Sequence, residues 1–111
     1  MIRVPAIALP HLESAINEEI RRLERVSAES GDKWPDGFDP NDIPLFLVVL
    51  DAVREGKCSG LSGKLKRFLL ALIPQYAEMR LAYLSKEEYN ALSEVYGQQE
   101  EPYRVQFPRF A

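Results

Sequence analysis

The sequence predicts a mainly α protein, a compact bundle of four to five helices with extended N- and C-terminal segments. Three observations carry the prediction. Apolar residues recur at three- and four-residue steps from Leu9 to Val26, Ser85 and Glu88 have the spacing of a helix-capping box, and glycines and prolines fall where helices of ordinary length start and stop. The chain of 111 residues is 46% apolar and 28% charged with a net charge of -3, which suits one folded core and excludes a disordered composition. Residues 1–111 are therefore read as one domain, with 1–9 and 98–111 as its extended ends.

The first helix is expected over residues 10–30. Leu9, Leu12, Ile16, Ile20, Leu23 and Val26 share one face, Glu13, Glu18, Arg21, Arg22, Glu24 and Arg25 the other, with Pro10 in the first turn and Gly31 at the stop. A turn-rich loop with Pro35, Gly37 and Asp39-Pro40 follows, carrying Trp34 and Phe38. Asp42 caps a second helix, Pro44 fits its first turn and Gly56 ends it. The run Phe46-Leu47-Val48-Val49-Leu50 is apolar nearly all round, which marks a central buried helix or, as the alternative, a buried strand. A third helix begins near Lys64, and Pro74 predicts either a kink or two helices meeting at an angle before residue 84. The capping box opens a last helix over 86–96, which Gly97 stops. Beyond it Tyr103, Val105 and Phe107 alternate with polar residues, as Ile2, Val4 and Ala6 do at the other end. The two ends are therefore candidates for a short terminal β-ribbon, or one for reaching onto a second protomer in a homodimer.

Chemistry-bearing constellations are scarce. One His and one Cys exclude a structural zinc site, and the spacing of Asp36, Asp39, Asn41 and Asp42 departs from a calcium loop at Gly37, at Pro40 and at the missing late Glu, so no cofactor or metal is expected. The stretch from Gly56 to Leu65 fails as a phosphate loop because Cys58 and Leu65 stand where Gly and Ser or Thr belong. Lys57, Lys64, Lys66 and Arg67 nevertheless gather at the start of the third helix as candidate anion or nucleic-acid contacts. Cys58 and His11 could in principle form a nucleophile and base, but no third residue can be nominated to orient them.

Charge is uneven. Residues 46–67 hold five basic side chains against two acidic, whereas 85–101 hold Glu87, Glu88, Glu94, Glu100 and Glu101 against Lys86 alone. The acidic stretch suits docking on a basic partner that binds nucleic acid, and the basic stretch a small nucleic-acid-binding regulator. The leading expectation is a non-enzymatic protein-interaction module, an adaptor, assembly factor or inhibitor. It contacts a protein partner through Trp34, Phe38, Tyr103, Phe107 and Phe110, large apolar side chains in segments that bury them poorly alone. A lone cysteine points to the cytoplasm. The apolar runs fall far short of the roughly 18 residues that a membrane span needs.

Overall fold

A computed structural model describes residues 2–30, 42–61 and 63–110. Trp34 and Phe38, together with Asp36, Asp39 and Asn41, lie outside the described residues. Four α-helices make the bundle: α1 (Leu9–Ser30), α2 (Asp42–Arg54), α3 (Gly63–Met79) and α4 (Lys86–Tyr96), with single 3-10 turns at Ala6–Ala8, Cys58–Gly60, Leu81–Tyr83 and Glu101–Tyr103. Helix α1 lies chiefly along α2 and also on α3. Helix α3 carries α4, and the 3-10 turn before α1 rests on α4.

The periodic stripe of α1 is the face that packs: Leu12, Ala15, Ile16, Ile20 and Leu23 are buried, while Arg21, Arg22, Glu24 and Arg25 are exposed. Leu12 and Ile16 join Val49, Leu69, Leu70, Ile73, Leu92 and Val95 in one core to which all four helices contribute.

Phe46 to Leu50 is helical, and α2 is one-sided rather than buried all round. Phe46, Val49, Leu50 and Val53 point inward at three- and four-residue steps, whereas Leu47 and Val48 are 47% and 51% exposed. An apolar run fixes neither burial depth nor the number of packed faces. Helix α2 covers the bundle from one side, its Phe46 ring stacked on Phe68 of α3 at 5.0 Å. It ends in a Schellman turn, in which Lys57 N–H donates to the Ala52 carbonyl and Gly56 N–H to that of Val53, with Gly56 at φ 69°.

Helix α3 passes through Pro74 without a break, so no second helix begins there. Proline leaves the carbonyl four residues earlier without its helical donor and typically costs about 3 kcal/mol. Burial of Ile73, Pro74, Tyr76 and Ala77 against the neighbouring helices opposes that cost. Residues 81–83 form a 3-10 turn instead of prolonging the helix.

No strand occurs among the described residues, and the terminal ribbon is replaced by a side-chain clamp. Arg3 N–H donates to Gln98 Oε1 at 2.7 Å, and Gln98 Nε2 donates to the Arg3 carbonyl at 2.8 Å. One primary amide thus satisfies both backbone groups that a partner strand would have taken.

Candidate functional site

The most connected polar cluster joins three helices. Helix α1 presents His11 from its first turn, α3 presents Tyr76, and α4 presents Glu88 from its first turn. The capping box holds Glu88 in place: Ser85 Oγ accepts from Glu88 N–H at 3.1 Å, and Glu88 Oε1 accepts from Ser85 N–H at 3.0 Å. The second oxygen, Oε2, is bonded to His11 Nε2, while His11 Nδ1 lies 2.8 Å from the Tyr76 hydroxyl. The Ser85 backbone donor, then His11 and the Ser85 hydroxyl hold the Glu88 carboxyl down to about 2.

This deprotonated carboxylate fixes the direction of the network. Nε2–H must donate to it. In the neutral imidazole Nδ1 accepts the Tyr76 O–H, and in the imidazolium it donates to the same oxygen. The cluster therefore closes in either charge state of the ring. Burial pushes the Tyr76 phenol up, so its oxygen is a poor nucleophile at neutral pH. Arg80 stacks over the Tyr76 ring at 4.3 Å and is ion-paired with Glu18 of α1. What this arrangement does chemically is fasten α1 to α3 and α4 together.

Cys58 takes no part in it. The thiol is buried in the 3-10 turn after α2, and that burial pushes its pKa up, away from a reactive thiolate. His11 is engaged not with Cys58 but with Tyr76 and Glu88, which lie 65 and 77 positions from it.

The cationic residues at the start of α3 are engaged with acids and rings. Lys64 Nζ lies 3.8 Å from Asp42 and 5.1 Å from the Phe68 ring centre; Arg67 lies 3.7 Å from Glu100 and 5.0 Å from the Tyr103 ring; Lys57 lies 3.3 Å from Glu55. Lys66 is half-buried. An incoming phosphate would compete with the acids beside Lys57, Lys64 and Arg67. Of the acidic candidates, Glu88 is consumed by His11 and Ser85, and Glu100 faces Arg67. Glu87, Glu94 and Glu101 remain exposed.

The C-terminal segment doubles back along α4 as an extended strap. Val105 N–H donates to the Tyr96 hydroxyl at 2.8 Å, and the Tyr89 hydroxyl donates to the Pro108 carbonyl at 2.5 Å. Phe107 packs against both tyrosines, at 5.5 and 5.7 Å between ring centres, and Phe110 lies 4.9 Å from Tyr89. Beside Phe110 opens a recess of about 500 Å³ lined by Glu78, Met79, Leu81, Ala82 and Leu84. A second, of about 300 Å³, lies between α1 and α3, with Ala15, Leu72, Tyr76 and Met79 among its walls and Glu18, Glu19, Arg22 and Arg25 along its charged edge. No family model matches the chain, and neither a curated protein nor a solved structure is significantly similar to it.

Among the described residues no three His, Cys, Asp or Glu side chains gather as metal ligands, and no helix is long and apolar enough to cross a membrane. The helical pattern expected up to residue 84 stops at Met79, the last residue of α3, and Met79 and Tyr83, the latter in the 3-10 turn that follows, face solvent.

Proposed function

We propose that the chain is a non-enzymatic protein-interaction module whose contact surface lies at the C-terminal end of α3. One observation carries the reading. Met79 and Tyr83 are 68% and 86% exposed, in the same turn of chain as the open recess closed on one side by Phe110. Single exposed apolar residues are ordinary, but several grouped around a recess form the kind of anchor site that dominates protein interfaces. Tyr103 is exposed where the strap begins, its ring over Arg67 near the other end of α3, and Phe107 spends its ring on Tyr89 and Tyr96.

The role of fastener fits the His11 cluster better than catalysis does, because both His11 ring nitrogens, the Tyr76 hydroxyl and Glu88 Oε2 are committed to helix-to-helix bonds, Glu88 Oε1 is held by the α4 cap, and the phenol is held protonated. The buried, unreactive Cys58 thiol agrees with residence in the cytoplasm. A second reading, docking on a basic partner, is favoured by the outer face of α4, where Glu87 and Glu94 remain exposed on either side of Asn90.

Met79→Asp and Tyr83→Asp, made together, test the leading reading. Both sites are solvent-exposed, so the melting temperature should stay near that of the wild type, while partners captured by the wild-type chain from native extract should be lost. Retention of the same partners at wild-type yield refutes it. Loss of those partners with Glu87→Lys and Glu94→Lys instead, together with salt-sensitive capture, would select the acidic face.

A further inference from the structure

The strap displays, in place, the chemistry of the ligand that α4 accepts. Tyr89 and Tyr96 are seven residues apart on the helix, a rise of about 10.5 Å, and the strap residues they hold, Val105 and Pro108, are three extended residues apart, about 10 Å from Cα to Cα. The two repeats are in register, so both hydroxyls meet backbone groups while Phe107 fills the space between the rings. Arg104 closes the arrangement, donating to the Gln99 and Gly97 carbonyls at 2.9 and 2.7 Å.

Three further features make this strap separable from the rest of the chain. Its side-chain hydrogen bonds among the described residues run only to α4 and the turn that follows it. The connection through Glu101–Tyr103 is a single exposed 3-10 turn around Pro102. Residues 104–110 carry Arg104 and Arg109 and no acid, whereas 85–101 hold five acids against one lysine. The strap of one copy is thus drawn electrostatically to the α4 region of another.

We propose that the Tyr89–Tyr96 face of α4 is a docking groove for an extended Arg-Val-x-Phe-Pro-x-Phe segment, and that its second occupant is the strap of another copy, exchanged reciprocally to form a symmetric dimer. Reciprocal exchange recreates every contact in trans, and a two-fold axis closes the pair. The competitor is the copy's own strap, whose effective concentration over so short a connection is in the millimolar range. Exchange is therefore concentration-driven, with half-association at roughly 0.1–1 mM.

Two measurements on the full-length chain test this. In sedimentation velocity the wild type should pass reversibly from monomer to dimer as its concentration rises toward about 1 mM, and Phe107→Ala with Phe110→Ala should stay monomeric. A fluorescein-labelled peptide of residues 104–111 should bind that double variant, whose own strap is weakened, at least about tenfold more tightly than it binds the wild type, and replacing Tyr89 and Tyr96 by Ala in the same chain should abolish binding. Circular dichroism confirms that each variant is folded; an unfolded variant is replaced by Phe107→Leu with Phe110→Leu. A wild type that remains monomeric to 1 mM refutes the second-copy occupant even if the peptide binds, and a dimer that survives loss of Phe107 and Phe110 refutes strap exchange. A folded double variant that ignores the peptide refutes the groove. The α3 surface is tested through Met79 and Tyr83 and this groove through Phe107, Tyr89 and Tyr96, so either proposal can fail alone.

Discussion

Tyr76→Phe isolates the fastening role of the three-helix cluster, because the ring is retained and only the hydroxyl leaves. The ring's edge contact with His11, at 5.7 Å between centres, and the Arg80 guanidinium over its face do not depend on the oxygen. What disappears is the 2.8 Å bond to His11 Nδ1, at a residue only 6% exposed. A buried hydrogen bond of this kind is worth about 1 kcal/mol, and leaving the imidazole nitrogen short of its partner raises the loss to about 1–2 kcal/mol. With an unfolding entropy near 2.1 cal/mol/K per residue over 111 residues, the melting temperature should fall by about 4–9 °C. Urea unfolding followed at 222 nm supplies the free energy. Tyr83→Phe is the control, an exposed hydroxyl expected to change stability by less than about 0.5 kcal/mol. If Tyr76→Phe is as stable as the control, the cluster does not hold the helices and the reasoning is wrong.

Other expectations follow from the same geometry. The Glu88 carboxyl lies at about 2 in the folded chain against 4.5 ordinarily, so its contribution is fully present above pH 4.5 and is lost as pH falls from 4.5 toward 2. Glu88→Gln should flatten the acid limb of the stability profile over that window; an unchanged limb would show that another group governs it. Ser85→Ala removes the hydroxyl that caps α4 and should cost about 1 kcal/mol in denaturant unfolding, with a loss below about 0.3 kcal/mol counting against the cap. The buried Cys58 thiol should react with a disulfide reagent at least about a hundredfold more slowly in the native chain than in urea, and equal rates would contradict its burial.

The parts of the fold that were legible in the sequence are those set by near neighbours. Ser85 and Glu88 are three residues apart and form the predicted box, and Gly56 closes α2 because it alone relieves the backbone at positive φ there. The stripe from Leu12 to Leu23 fixes the packed face of α1 for the same reason. Where partners are distant, the pattern misleads. Leu47 and Val48 resemble core residues until the one-sided placement of α2 exposes them, and Pro74 resembles a break until its burial within α3 is known. The alternation at Val105 and Phe107 falls on the extended strap, whereas Tyr103 closes a 3-10 turn, and the groups that satisfy the strap are tyrosine hydroxyls on a helix instead of a neighbouring strand. Nothing around His11 announces Tyr76 or Glu88: the sequence pattern gives Glu88 its capping role toward Ser85 and its place in the acidic stretch, but not its second bond, to His11. Trp34 and Phe38, candidate contacts by composition, lie outside the described residues.

The reach of the His11 cluster along the chain has a kinetic consequence. Its bonds span 65 and 77 residues, so they close only after α1, α3 and α4 have already found one another, and the loop entropy has been met by apolar contacts. Interactions formed that late are absent from the folding transition state. Weakening them leaves the rate of folding nearly untouched and speeds unfolding. The imidazole thus acts less as part of the scaffold than as its latch, setting how long the assembled bundle lasts between openings.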